Sequence, residues 1–249
     1  MKMQHVNIFG VYVDNFSKND IHKNVENFLI SQNFHQIATV NPEFLLEARK
    51  NEQFRTILNN CDLTVADGVG LNIAFWRQGA KMKHRYPGID LMWAILEYAD
   101  QNDHSVFLAA EKDGLSAWSE TASAIIGKYP RLKIKGIDLD SQRVDILLSG
   151  LSDEIEGSQI IFCNFGAPEQ ECFLNTMRNA NIDSIRLVMG VGGSFDFITN
   201  KAQRAPLWMQ KSGLEWLYRL FKQPQRLKRI LNATIVFPIL ILFSQDHDK

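Results

Sequence analysis

The sequence predicts an α/β fold: a Rossmann-like, mostly parallel sheet covered by helices, with a basic helical appendage at the C-terminus. Three observations predict it. Short apolar runs alternate with stretches of helical period up to about residue 200. Glycine, proline and asparagine punctuate the ends of those runs, where strand-to-helix turns are needed. Beyond Ile198 the chain becomes basic, rich in aromatics and helical in period. A soft boundary near residue 200 thus divides an α/β core at 1–200 from an appendage at 201–249.

Strands are expected at 36–40, 63–66, 106–109, 132–136, 159–164 and 186–190, and helices at about 20–32, 43–59, 90–101, 115–128, 141–149 and 168–180. The helix after Pro42 has a complete entry signal. Asn41 can cap it, Pro42 suits the first turn, and Glu43 favours the positive end of the helix dipole. Leu45, Leu46, Ala48, Phe54, Ile57 and Leu58 then supply its apolar face. In a parallel sheet of this kind ligands bind at the carboxyl ends of the strands, so those loops are the ones to read for chemistry.

The chain has 249 residues, 45% hydrophobic and 22% charged, which is the balance of a packed globular protein. Its net charge of −1 gives the whole molecule no bias toward nucleic acid, and no nucleic-acid-reading motif is present. The average conceals a basic block: Lys201, Arg204, Lys211, Arg219, Lys222, Arg226, Lys228 and Arg229 face a single acid, Glu215. The three cysteines, Cys61, Cys163 and Cys172, have neither disulfide nor metal-ligand spacing and suggest a reducing compartment. No secretory signal opens the chain. The apolar run from Ile230 to Phe243 is interrupted by Asn232, Thr234 and Pro238. As a helix it would reach ~21 Å, short of the ~30 Å needed to span a bilayer, so it can lie in an interface or dock on protein.

Five loops offer chemistry. Thr39-Val40-Asn41-Pro42-Glu43 brings a hydroxyl, an amide and a helix N-terminus together, which can attract phosphate or simply turn a strand into a helix. Ala66-Asp67-Gly68-Val69-Gly70 ends an apolar run in an Asp, either a plain Asp-Gly turn or a base aimed into a cleft. In Arg85-Tyr86-Pro87-Gly88-Ile89-Asp90, the Arg can grip a phosphate bidentately while Asp90 caps the next helix. Phe165-Gly166-Ala167-Pro168-Glu169-Gln170-Glu171 places the Gln170 amide in a first helical turn, where the neighbouring acids suit the dipole. Gly190-Val191-Gly192-Gly193-Ser194 lets backbone approach a diphosphate closely, yet leads into Phe195-Asp196-Phe197 rather than a clean dinucleotide-binding helix. Asp138-Leu139-Asp140 spells a metal-binding DxD, but it reads better as a polar loop before the helix at Ser141, and no metal is expected. The terminal Asp246-His247-Asp248 reads as a frayed tail.

In the appendage, Leu214, Leu217, Tyr218 and Phe221 share a helical face, and Pro224 interrupts the pattern. Basic, aromatic and apolar side chains so arranged suit an anionic membrane surface, at ~1 kcal/mol per cation facing lipid. The same arginines can instead clamp a diphosphate, or present a solvated face.

Taken in order, these loops together with Arg204-Ala205-Pro206 and Gly213-Leu214-Glu215-Trp216-Leu217-Tyr218-Arg219-Leu220 resemble the WecG/TagA/CpsF family of glycosyltransferases. Seven segments in register cover about 36 to 230. The resemblance implies inverting transfer of an N-acetylmannosamine-type sugar, commonly from a UDP donor, to undecaprenyl-diphosphate-linked N-acetylglucosamine in cell-surface polysaccharide synthesis. That reaction belongs at the cytoplasmic face of the membrane, peripherally bound, without a cofactor. The family's catalytic Asp falls on Asp67 and its nearby Thr on Thr39. Its substrate-pocket residues fall on Arg85 and Gln170, and its diphosphate-holding arginines on Arg219, Arg226 and Arg229. Asn41, Gly190, Gly192 and Gly193 complete the expected substrate contacts. Three positions depart from the family pattern: Glu169 for a frequent Lys, Ala109-Ala110-Glu111 for a Gly-Gly turn, and Asn200 for Gly. The alternatives are another hexose donor such as UDP-glucose, a dinucleotide-dependent oxidoreductase, or a non-catalytic protein that binds lipid diphosphates. A homo-oligomer is compatible with the sequence.

Overall fold

A computed structural model describes residues 5–143, 151–180, 182–222 and 227–243, with the side chains of Arg143, Lys211 and Arg219 left aside. Among these residues lies one eight-stranded sheet. Its strands are β1 (His5–Ile8), β2 (Val11–Asp14), β3 (His35–Val40), β4 (Leu63–Ala66), β5 (Ser105–Glu111), β6 (Lys133–Leu139), β7 (Ile160–Cys163) and β8 (Leu187–Gly190). Their order is β1-β2-β4-β3-β8-β7-β5-β6, and every pairing is parallel except the β1–β2 hairpin. The six expected strands are thus β3 to β8.

The hairpin was not expected, although its signal is legible. Val6 and Ile8, then Val11 and Val13, alternate with polar neighbours and are all buried. Phe9 and Gly10 both take positive φ, 53° and 80°, as a tight two-residue hairpin turn demands. Asn7 Oδ1 accepts the Gly10 N–H at 2.9 Å and closes the turn.

The helices of the core are α1 (Lys18–Ile30), α2 (Pro42–Lys50), α3 (Glu52–Asn59), α4 (Leu71–Arg77), α5 (Gly88–Gln101), α6 (Trp118–Lys128), α7 (Glu169–Met177) and α8 (Ser194–Ile198). The single helix expected over 43–59 is two. Asn51 leaves helical geometry at φ −114°, ψ 100°, ends α2 and caps α3 by accepting the Phe54 N–H at 3.0 Å. A side chain that bonds backbone locally competes with helix continuation, and here it wins. Helix α4 was not expected either. Of the helix expected at 141–149, Ser141–Arg143 form a 3₁₀ turn and 144–150 lie outside the described residues.

The central strands β3, β4, β5, β7 and β8 are buried on both faces, as strands of parallel sheets are. Along β3, Ile37 packs with α1 and α5 on one face, while Ala38 and Val40 pack with α2 and α4 on the other. The chain after the core forms α9 (Leu207–Ser212), α10 (Glu215–Lys222), α11 (Leu227–Leu231), a π-helical turn at Asn232–Val236, and α12 (Phe237–Phe243). These helices do not stand apart from the core. Phe237 is fully buried and joins Ile241 in the apolar cluster of α2 and α4. Among the described residues no helix is long and apolar enough to cross a membrane.

Candidate active site

The carboxyl ends of β4, β3, β8 and β7 lie side by side, and four of the five chemistry-bearing loops leave the sheet there. β3 ends in Thr39 and Val40. Thr39 is buried, and the following Asn41 caps α2, its Oδ1 accepting the Glu43 and Phe44 N–H groups at 2.9 and 3.2 Å. The Asn41 oxygen is therefore engaged in holding the loop in shape. β4 delivers Asp67, whose backbone N–H continues the ladder to the Val40 carbonyl at 2.7 Å. Gly68 takes φ 123°, a conformation that side chains rarely adopt, and turns the chain away immediately after Asp67.

The third loop arrives from below. Asn15 fastens it by donating to the Lys81 carbonyl at 3.1 Å and accepting from the Lys83 N–H at 2.9 Å. Tyr86 is buried, its hydroxyl is 2.7 Å from His22 Nε2 on α1, and its N–H bonds the Ala66 carbonyl at 2.9 Å. Burial pushes the Tyr86 hydroxyl up to about 12, so it remains a neutral phenol. So anchored, the loop presents the first turn of α5 to the site: the Gly88 N–H donates to Asp67 Oδ2 at 3.2 Å. An N–H at a helix N-terminus stabilises and aims a carboxylate. A Cβ on Gly88 would sit 3.1 Å from Thr39 Oγ1, tighter than an ordinary contact, so a side chain here would press on the threonine. Gly88→Ala is expected to cost about 1 kcal/mol in stability and about tenfold in turnover, because Thr39 and Asp67 are both displaced. Thermal unfolding and initial-rate measurements on the same preparation check it.

The β7 and β8 loops are joined by Gln170. Its Oε1 accepts the Gly166 N–H at 3.1 Å and the Gly192 N–H at 3.0 Å, and its Nε2 donates to Glu171 Oε1 at 2.7 Å. Gln170 is only 2% exposed, so the expected substrate amide instead ties two glycine turns together. Gly193 is exposed beside them, and Gly190 is the last residue of β8. Sequence reading treated Glu171 as a first-turn acid suited to the helix dipole. It is 1% exposed, and burial pushes its carboxyl up to about 8. The period of α7 carried the signal, since Glu171 falls with Phe173 and Leu174 on the inward side. Asp138 accepts the Trp118 N–H at the start of α6 at 2.9 Å, and Asp140 accepts the nearby Gln142 N–H at 3.0 Å.

The C-terminal helices are fastened around this mouth. Arg85 donates to the Gln210 carbonyl of α9 at 3.2 Å. Arg204 grips Asp90 through both carboxylate oxygens, at 2.6 and 3.3 Å. Arg229 Nε donates to Glu43 Oε2 at 2.9 Å. Gly213 lies against Val69, and Gly70 lies against Phe237 and the Ala233 carbonyl. Each of the loops at 39–43, 67–70 and 85–90 thus carries a contact to the appendage. Arg219 is within α10, and Arg226 lies outside the described residues, as do Pro224 and Asp246-His247-Asp248. Tyr218, by contrast, is placed, with its hydroxyl 3.4 Å from Gln203. A separate cavity of about 210 Å³ lies between α1 and α5, lined by His22, Glu26, Glu97 and Tyr98 among others, and contains none of the expected site residues.

The model of the Glycosyl transferase WecG/TagA/CpsF family matches residues 6–248. The chain belongs to the WecG/TagA/CpsF family of glycosyltransferases. It is 31% identical over 214 residues to a Bacillus subtilis (strain 168) protein named N-acetylglucosaminyldiphosphoundecaprenol N-acetyl-beta-D-mannosaminyltransferase, covering 86% of this chain and 81% of that one. It is 30% identical over 236 residues to the protein of the same name from Staphylococcus aureus (strain MRSA252), covering 92% and 89%. A third relative with that name, from Bacillus spizizenii, is 30% identical over 201 residues, 79% of this chain and 74% of its own. Asn200 takes φ 61°, the left-handed conformation that Asn tolerates better than most side chains.

Proposed function

We propose that this glycosyltransferase moves an N-acetylmannosamine-type sugar from a UDP donor to undecaprenyl-diphosphate-linked N-acetylglucosamine, with inversion at the anomeric carbon. The observation that carries the reading is the Asp67 carboxylate, aimed by the Gly88 N–H beside Thr39 at adjacent strand ends. The names of the relatives support the substrate pair.

Asp67 accepts the proton of the acceptor hydroxyl as that oxygen attacks the anomeric carbon. The bond to the diphosphate oxygen breaks on the opposite face, and the leaving UDP carries the electron pair away. Thr39 orients the acceptor. The backbone N–H of the exposed Gly193, in the turn that Gly190 and Gly192 shape, stabilises the developing charge on the diphosphate. Arg229 exchanges its Glu43 partner for acceptor phosphate when the lipid binds, and Arg219 and Arg226 join it. Arg85 holds α9 over the site and is positioned to reach phosphate on release. No cofactor enters these steps.

A lipid-linked acceptor supports peripheral binding at the cytoplasmic face of the membrane, and among the described residues no helix is long and apolar enough to span it. Leu231, Ile235, Ile239, Leu242 and Phe243 are exposed on the C-terminal helices, opposite the buried Phe237 and Ile241, and this apolar stripe supports an interfacial position. Exposed Lys222 and Lys228 supply the charge for anionic lipid. The test is a panel of UDP sugars incubated with a short-chain lipid-diphosphate N-acetylglucosamine, with products read by mass. Addition of one N-acetylhexosamine from UDP-N-acetylmannosamine is expected. Preference for UDP-glucose would replace the donor, and transfer from none of the UDP sugars would overturn the reading.

A further inference from the structure

The hydrogen bonds of Gln170 end on a carboxyl that is 1% exposed and forms no ion pair among the described residues. Gln170 uses both lone pairs of Oε1 on backbone N–H groups of the β7 and β8 turns, so its amide orientation is fixed and Nε2 must find an acceptor. That acceptor is Glu171 Oε1. The pair lies flat against the end of β8. A Cβ built on Gly190 would sit 2.4 Å from both Gln170 Nε2 and Glu171 Oε1, so the glycine leaves the space this amide–carboxyl link occupies. Two oxygens beside it, Glu171 Oε2 and Gln36 Oε1, are buried without a hydrogen-bond partner among the described residues. Gln36 is already a neighbour, since its Nε2 donates to the Glu171 carbonyl at 3.3 Å. Two orphaned acceptors in one buried place are costly, and a proton on Glu171 turns one of them into a donor.

We infer that Glu171 is a positioning residue, held in its protonated form, which locks Gln170 and through it the two glycine turns that face the donor diphosphate. The role of the turns rests on the donor reading above; the lock itself does not. The charged and titratable groups around Glu171 do not favour its anion. Glu169 precedes it on α7, and the buried thiols of Cys163 on β7 and Cys61 ahead of β4 are themselves pushed up by burial. Arg178 on the same flank pairs with Asp62 at 3.0 Å. Burial raises the Glu171 carboxyl to about 8. The sign follows. The unfolded chain loses this proton in the ordinary carboxylate range and the folded chain near pH 8, so the lock is intact at neutral pH and weakens as pH rises through 8. Ionisation releases the proton to water and leaves a buried carboxylate that must draw water in, loosening the grip on Gln170.

The experiment uses the full-length protein with side-chain carboxyl carbons of Glu labelled with ¹³C, the Glu171 resonance being assigned by its loss in Glu171→Gln. Titration of that resonance near pH 8 is expected, and titration between 4 and 5 would overturn the inference. UDP affinity, measured by calorimetry at pH 7 and pH 9.5, reads the consequence. The wild type is expected to lose up to ~10-fold at the higher pH, and Glu171→Leu ~10-fold at both, having no acceptor for Gln170. Glu171→Gln, neutral at every pH and able to satisfy Gln170 and Gln36 together, is expected to rescue binding and remove the alkaline loss. A parallel alkaline fall in Glu171→Gln would overturn the inference. UDP binding by no form at pH 7 would overturn the donor assignment of the turns, while the resonance still decides the lock.

Discussion

Asp67→Asn is expected to lower turnover by ~10²- to 10⁴-fold with the fold unchanged. The amide keeps the volume of the carboxylate and can still accept the Gly88 N–H through its oxygen, so the loop has no reason to move. What is lost is the ability to take a proton as the acceptor oxygen attacks. A base that acts only as the acceptor oxygen attacks should show its loss in kcat. Single-turnover rates with saturating donor and acceptor, together with thermal unfolding, separate the chemical step from folding. Near-wild-type turnover would remove Asp67 from the base role and leave Thr39 and the helix N-terminus as mere turn chemistry.

Replacing Ile235, Ile239 and Phe243 together by Ser is expected to weaken binding to anionic phospholipid vesicles by at least ~100-fold, since each large apolar side chain withdrawn from an interface forfeits ~1.5–3 kcal/mol. All three are exposed, Phe243 at 79%, so their loss leaves the core intact. Truncation at residue 200 is the obvious alternative and is unsuitable. It would strip Phe237 and Ile241 from the apolar cluster shared with α2 and α4, and remove the Arg204–Asp90 and Arg229–Glu43 pairs. A truncated protein that failed to bind vesicles could have failed to fold. Vesicle sedimentation of the triple variant, with transfer to a water-soluble acceptor as a control, checks the expectation. Unchanged sedimentation would move the membrane contact elsewhere on the molecule.

Much of this was legible in the chain before any coordinates. The strand-helix alternation specified β3 to β8, because strands buried on both faces read as continuous apolar runs bounded by turn residues. The loops at the strand ends were legible as the place to read for chemistry, because ligands bind at the carboxyl ends of parallel strands, although each loop alone reads equally as an ordinary turn. The β1–β2 hairpin and α4 were passed over, being only four and seven residues long, where periodicity has little room to register. The break at Asn51 was hidden because a side chain bonding its own backbone leaves the apolar period almost undisturbed.

By itself the sequence determined the α/β class, the family and the place of Asp67 at a strand end, because these depend on local pattern and on motifs read in order. Only the tertiary structure decided the burial of Glu171 and the partners of Gln170, Arg85 and Arg229. Whether a polar side chain meets water, backbone or another charge depends on elements distant in the chain, and burial and long-range hydrogen bonding fix its chemistry only once those elements have packed.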